Sequence, residues 1–193
     1  MSITSVLFSG VGGQGIILAS KVVGRAAFIS GLDVKESELH GMAQRGGSVI
    51  SHVRFGKTVH SPLIPRGKAD FYLALEELEG IRYRPLLKPG ARVVLNCKQV
   101  IPSTVNAERP YPTDVRRRLE EHGFNVVAID ASEIARAVGN MKVENIVLVG
   151  ALSVFMDFPV ETWEQVIRKL VPERYVDVNL SAFRAGREAA GQV

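Results

Sequence analysis

The sequence predicts an α/β fold: a Rossmann-like open sheet, mostly parallel, with helices on both faces and an antiparallel hairpin excursion. Three observations carry that reading. Apolar, β-branched runs of strand length alternate with helix-period segments along nearly the whole chain. The string Gly10-Val11-Gly12-Gly13-Gln14-Gly15 falls between the first strand and the first helix. After residue 48 a stretch of strict alternation, with a Gly-Lys pair behind it, breaks the parallel pattern.

Taken in order, Ile3 to Phe8 is a buried strand that breaks into the glycines, and Ile16 to Ile29 is long and apolar enough for a largely buried helix. Asp33 to Leu39 reads as a short second strand. The polar segment His40-Gly41-Met42-Ala43-Gln44-Arg45-Gly46-Gly47 follows as a loop. In Ser48 to Phe55 the residues Val49, Ser51, Val53 and Phe55 alternate with Ile50, His52 and Arg54, and Gly56-Lys57 before Thr58-Val59-His60 reads as a hairpin turn. Pro62 and Pro65 punctuate a loop. Phe71 to Leu75 is a strand leading into Glu76-Glu77-Leu78-Glu79, whose negative charge suits a helix N-terminus. Arg92 to Leu95 and Asn125 to Ile129 complete the strands. Between them Pro112 opens a helix and Gly123 ends it, with Val115 and Leu119 one turn apart on its buried face. The tail is helical over Glu144 to Met156, Val160 to Val171 and Asp177 to Ala190. Neither a repeat nor a linker divides the chain, so residues 1–193 are expected to form a single domain.

Composition narrows the function. The 193 residues are 46% hydrophobic and 23% charged, the balance of a globular chain able to bury about 70% of its unfolded surface. A net charge of +4 is mild for a nucleic-acid binder. Arg116-Arg117-Arg118 stands four residues before Glu120 and Glu121, as expected of a solvated helix face. One cysteine, Cys97, makes neither a disulfide nor a cluster site, and with no basic partner in sequence it reads as a packing residue. His52, His60 and His122 have no metal spacing. The apolar stretch Ile146 to Met156 is far shorter than the roughly 20 residues that span a bilayer, and the start Met1-Ser2-Ile3-Thr4 lacks a basic leader. A soluble, cytoplasmic protein with no membrane or nucleic-acid partner and no metal site is expected.

Two segments carry the chemistry. Gly10, Gly12 and Gly15 match G-x-G-x-x-G in its meaningful context, between strand and helix. Gly10 would permit the tight turn, Gly12 the approach of backbone to an anion, and Gly15 close helix–strand packing, with helix N–H groups attracting negative charge. A dinucleotide-binding enzyme or sensor is one reading. Its ribose-binding acid must then be Asp33, Glu36 or Glu38, none of them cleanly at the end of a strongly apolar strand. A purely structural turn is the other reading. The His40 segment clusters imidazole, thioether, amide and guanidinium among glycines with no packing reason for any of them. His40 suits proton transfer and Arg45 suits an anion. A solvated loop is the plain alternative.

These two segments, together with Ser61-Pro62-Leu63-Ile64-Pro65 and Lys68-Ala69-Asp70, resemble the gamma-type chain of the 2-oxoacid:ferredoxin oxidoreductases. The resemblance covers nearly the whole chain, and the His-Gly-Met-Ala-Gln-Arg-Gly-Gly string points to the indolepyruvate branch. It implies oxidative decarboxylation of an aryl 2-oxoacid with coenzyme A and ferredoxin, giving an acyl-CoA and carbon dioxide. It also implies thiamine diphosphate and iron–sulfur clusters, carried by a larger partner subunit because no Gly-Asp-Gly segment with paired asparagines occurs here. On this resemblance the chain alone has no catalytic residue, with His40 and Arg45 supporting. Gly10, Gly12, Gly13, Gln14, Gly15 and Gln44 would be the cofactor-binding residues, with no cofactor held tightly by this chain, and the loop from His40 would line or border the shared active site or the coenzyme A approach. Partners would be the larger subunit and ferredoxin, with a homodimer for the isolated chain.

Overall fold

The computed structural model describes residues 3–40, 46–102, 105–106 and 110–192. Six strands form one sheet: β1 (Thr4–Val11), β2 (Asp33–His40), β3 (Ser48–Gly56), β4 (Ala69–Ala74), β5 (Leu87–Asn96) and β6 (Asn125–Ile129), in the order β2-β3-β1-β4-β5-β6. The pairs β1·β4, β4·β5 and β5·β6 are parallel, whereas β3 runs antiparallel to both β1 and β2. All strands except β3 therefore point the same way, and the mostly parallel α/β sheet expected from the sequence is found.

Two cores lie on the two faces. Val6, Phe8, Val53, Leu73 and Val127 pack under α1 (Ile16–Ile29), α4 (Ala131–Ala137), α5 (Glu144–Ser153), α6 (Val160–Leu170) and α7 (Val176–Gly191). Leu7, Ile50, Tyr72, Val93 and Leu95 pack on the other face with α3 (Val115–Glu121), beside α2 (Glu77–Arg82). Phe55, Phe158, Trp163 and Phe183 stack in series through the larger core at centroid spacings of 5.6, 5.7 and 6.2 Å. α5 is buried on every side, which its unbroken apolar run dictates.

Glycine sets the closest helix contact. A Cβ on Gly150 of α5 would stand 2.1 Å from the Phe183 carbonyl oxygen, and one on Gly186 of α7 would stand 1.9 Å from that of Val147. The two helices cross at backbone contact because each presents a residue without a side chain.

The hairpin falls elsewhere than the Gly56-Lys57 pair suggested. Gly56 ends β3, and 57–60 form no strand. Both edges of β3 are already taken, by β2 from Asp33↔Gly56 to His40↔Val49 and by β1 from Thr4↔Phe55 to Val11↔Ser48. No edge remains for a strand at 58–60, and the Val59 N–H donates instead to Asp33 Oδ2 at 2.8 Å. The antiparallel excursion is β2 against β3, in register from Asp33↔Gly56 to His40↔Val49. A helix absent from the sequence reading, α4, begins where Asp130 accepts the Glu133 N–H at 2.9 Å.

Candidate functional site

The parallel strands deliver their carboxyl ends to one rim, and the topology brings both candidate segments to it. β2 rises to His40 and β3 descends from Ser48, so the two strand ends stand beside the point where β1 ends. β1 runs on through Gly10 and Val11, paired with Val49 and Ser48. Beyond that ladder the Gly12 N–H donates to the Gly47 carbonyl at 2.8 Å, and the Gly46 N–H donates to the Gly12 carbonyl at 3.4 Å. The glycine turn and the far end of the His40 segment are thus zipped together. The backbone of His40 closes β2. Its side chain, with Gln44 and Arg45, lies outside the described residues.

Gly10 does not make the turn. It sits inside β1, and its missing side chain leaves room for Gln14: a Cβ there would stand 2.7 Å from Gln14 Oε1 and 3.0 Å from Leu75 Cβ. Gln14 Oε1 accepts the Val11 N–H at 2.7 Å, while the Gln14 N–H donates to the Val11 carbonyl at 3.1 Å. Because Val11 offers a donor, the amide orientation is fixed, and Nε2 is left buried without an acceptor among the described residues. Gly13 and Gly15 hold φ of 103° and 79°, in the region glycine favours. Gly15 also admits α5, since Asn145 Nδ2 donates to its carbonyl at 3.1 Å and a Cβ would stand 2.5 Å from that nitrogen.

The N–H groups of Val11, Gly12 and Gln14 are therefore consumed within the chain, unlike a turn that keeps its donors for a pyrophosphate. The acids of β2 are also out of place for a ribose. Asp33 stands at the amino end, 2.6 Å from Lys35 Nζ, which with the Val59 N–H holds its carboxyl below the ordinary value. Glu36 lies over Gly24 of α1. The carboxyl end holds Leu39 and His40.

Beneath the paired turns lies a buried polar network that the sequence reading missed. Ser48 Oγ donates to Glu79 Oε2 at 2.5 Å and meets the Tyr83 hydroxyl at 2.9 Å. Arg82 donates to the other oxygen of Glu79. The Tyr72 hydroxyl donates to the Glu79 carbonyl at 2.7 Å and meets Ser9 Oγ at 2.5 Å. Burial pushes the Glu79 carboxyl above the usual range, against the lowering effects of Ser48 and Arg82. The acidic segment signalled a helix start and nothing in it distinguished Glu79, which is buried three residues past the Glu76 cap of α2.

Further along the rim, Asn96 is buried and ties strands together. Its Nδ2 donates to the Leu75 carbonyl and its Oδ1 accepts the Ala131 N–H, both at 3.2 Å. Lys98 pairs with Glu144 at 2.6 Å, and Ser132 joins at 2.9 Å. Cys97 is exposed rather than packed, because β5 has already ended at Asn96. Its thiol is pushed up by partial desolvation and by Glu77 and Asp130, so the thiolate is not favoured.

The remaining sequence candidates are dispersed. Arg116 and Arg117 pair with Glu120 and Glu121 at 2.8 and 2.9 Å on an exposed face. His52 is buried, accepts the Ile64 N–H at 3.0 Å and has its pKa lowered by burial. Among the described residues no group of three or more His, Cys, Asp or Glu could hold a metal ion, and no helix is long and apolar enough to cross a membrane.

Clefts of about 570, 550, 490 and 350 Å³ lie away from the rim, lined by the amino ends of strands or by α1 and the end of α6, and none touches residues 10–15 or 46–48. Among the described residues the rim is formed by Val11, Gly12, Gly47 and Ser48. Beside it, α2 and α3 pack on β1, β4, β5 and β6, and Leu39 of β2, on that same sheet face, is 51% exposed.

Comparison with known proteins assigns the architecture. The indolepyruvate oxidoreductase subunit IorB of Thermococcus kodakarensis is 41% identical over 195 residues, covering 98% of this chain and 96% of its own. The 2-oxoglutarate synthase subunit KorC of Methanothermobacter thermautotrophicus is 30% identical, covering 95% and 93%. The crystal structure of a keto/oxoacid ferredoxin oxidoreductase gamma subunit from Geobacter sulfurreducens superposes with a TM-score of 0.76 at 27% identity, over 98% of this chain and 99% of that one. Residues 5–189 match the family described as pyruvate ferredoxin/flavodoxin oxidoreductase, and the chain belongs to that family.

Proposed function

We propose that this chain is a non-autonomous subunit of a 2-oxoacid:ferredoxin oxidoreductase acting on aryl 2-oxoacids such as indolepyruvate. In the overall reaction the 2-oxoacid, coenzyme A and two oxidised ferredoxins give an acyl-CoA, carbon dioxide, two reduced ferredoxins and a proton. The observation that carries the reading is the rim itself. Gly12 of the glycine turn is bonded backbone to backbone to Gly46 and Gly47 at the carboxyl rim of the sheet, and on this reading that rim makes one wall of a chamber whose other walls another chain supplies. Identity of 41% to an indolepyruvate subunit against 30% to a 2-oxoglutarate subunit supports the aryl substrate.

The donor set does not fit the redox cofactors. One cysteine cannot ligate an iron–sulfur cluster, which commonly takes four. Thiamine diphosphate, which supplies the carbanion chemistry of decarboxylation, and the clusters belong on this reading to the larger partner. This chain contributes Gly12, Gly13 and Gln14 from one turn and His40, Gln44 and Arg45 from the other as a border that shapes substrate or coenzyme A approach. Co-expression with a cluster-bearing partner tests it. Indolepyruvate-dependent ferredoxin reduction is expected from the complex and none from the chain alone. Turnover by the isolated chain, or micromolar binding of NAD, NADP or FAD to it by calorimetry, overturns the proposal.

A further inference from the structure

Glu79 is the acid that the helix it belongs to does not need. The N-terminus of α2 is already capped by Glu76, whose Oε2 accepts the Glu79 N–H at 2.9 Å. The neighbouring inward residue, Gly80, packs against Leu95, so an apolar side chain would suit this side of α2. Yet a carboxylate sits here at 3% exposure, and every polar atom of the residue is engaged. Its N–H is held by Glu76, its carbonyl by Tyr72, one carboxylate oxygen by Arg82 and the other by Ser48.

Its contacts have a direction. Tyr72 of β4, which also meets Ser9 of β1, fixes the Glu79 backbone to the centre of the sheet. The carboxylate then reaches across to Ser48, the first residue of β3 and the residue after Gly47. Ser48 stands opposite Val11, and the next backbone pair outward is Gly12 with Gly47. Three bonds thus lead from a fixed point in the sheet to the junction of the two rim segments.

We infer that Glu79 is a positioning residue: through Ser48 it sets where β3 begins and so holds Gly46 and Gly47 against the glycine turn. Arg82 compensates the charge and Tyr83 supplies Ser48 with a second oxygen contact. The expense of a buried carboxylate is explained by this reach, which the shorter Asp or an apolar residue does not provide. The inference concerns the chain alone and does not depend on which substrate passes over the rim.

Hydrogen exchange of single amides in the full chain tests it, comparing Glu79→Leu, Glu79→Gln and Ser48→Ala with the parent. The Gly12 and Gly46 amides report the junction, and the Gly80 and Tyr83 amides report α2. Ser48→Ala is expected to speed Gly12 and Gly46 about tenfold, the loss of one charge-assisted bond, with α2 unchanged. Glu79→Leu should do the same at the junction. Glu79→Gln, whose amide oxygen still accepts from Ser48, should stay within about threefold of the parent. Parental rates at Gly12 and Gly46 in Ser48→Ala overturn the inference. So does an increase in Glu79→Leu that is equal across all six strands, which is general destabilisation. Ser48→Ala keeps the test intact if Glu79→Leu fails to fold.

Discussion

Gln14 folds back onto the strand that precedes it, and its Oε1 takes the Val11 N–H at 2.7 Å in the space that Gly10 leaves empty. Gly10 and Gln14 are thus one structural unit four residues apart. Gln14→Ala strands the Val11 donor and should cost about 1–3 kcal/mol, which for a chain of this size lowers Tm by about 2–4 °C per kcal/mol. Gly10→Ala places a methyl group on the same oxygen and should cost a similar amount. In the double variant the two losses should overlap by at least about 0.5 kcal/mol, because the clash has lost its partner. Strict additivity in urea denaturation would show that the two residues do not share this space.

The crossing of α5 and α7 leaves no room for a methyl group. Gly150→Ala and Gly186→Ala each drive a Cβ to about 2 Å from a carbonyl oxygen on the opposite backbone. Neither neighbour is a side chain that can swing away, so the helices must separate and unpack the larger core. The expected loss is at the upper end of overpacking, about 3 kcal/mol or more. Thermal unfolding would check it, and a Tm within about 2 °C of the parent would refute the contact.

Two carboxyls act oppositely on stability as pH changes. The folded state raises the Glu79 pKa by burial, so folding favours its protonated form, and this advantage is lost as pH climbs through the raised value. Asp33, lowered by Lys35 and by the Val59 N–H, stabilises above its unfolded value of 3.8 and loses that contribution as pH falls through the lowered one. Glu79→Gln should therefore gain on the parent between pH 4 and 7, and Asp33→Asn should lose most to it at neutral pH and converge with it in acid. Melting curves across that range decide both, and parallel curves for either pair would count against the assigned shift.

The arginine triplet should be silent. Arg116 and Arg117 are paired one turn along an exposed helix, so replacing each with alanine should cost no more than about 0.5 kcal/mol. Retention on immobilised oligonucleotide should not change. A steep, salt-dependent loss of binding in the double variant would revive a nucleic-acid role.

Much of this architecture is legible because local and global signals agree. The apolar runs of β1, β4, β5 and β6 and the helix period of α6 and α7 each specify one element, and the helix start at Glu76 carries its own side-chain cap, whereas the short α4 behind Asp130 is absent from the sequence reading. What stayed hidden depends on register. Gly56-Lys57 has hairpin chemistry, yet with both edges of β3 occupied it cannot act on it. The roles of Gly10 and Gly15 are set by Gln14 and by the distant Asn145, and no spacing rule reports a contact across 130 positions. Glu79 was hidden for the same reason: its partner Ser48 lies 31 residues earlier, on another strand.

The reversed direction of β3 has an evolutionary corollary. A βαβ crossover could not be shortened or rewritten without moving a helix, but β2 and β3 are antiparallel neighbours, joined with no helix between them among the described residues. The pairing of β2 with β3 from Asp33↔Gly56 to His40↔Val49 fixes strand order whatever the length of the connection between them. A scaffold so connected accepts sequence change at that connection at less cost to folding than in either core.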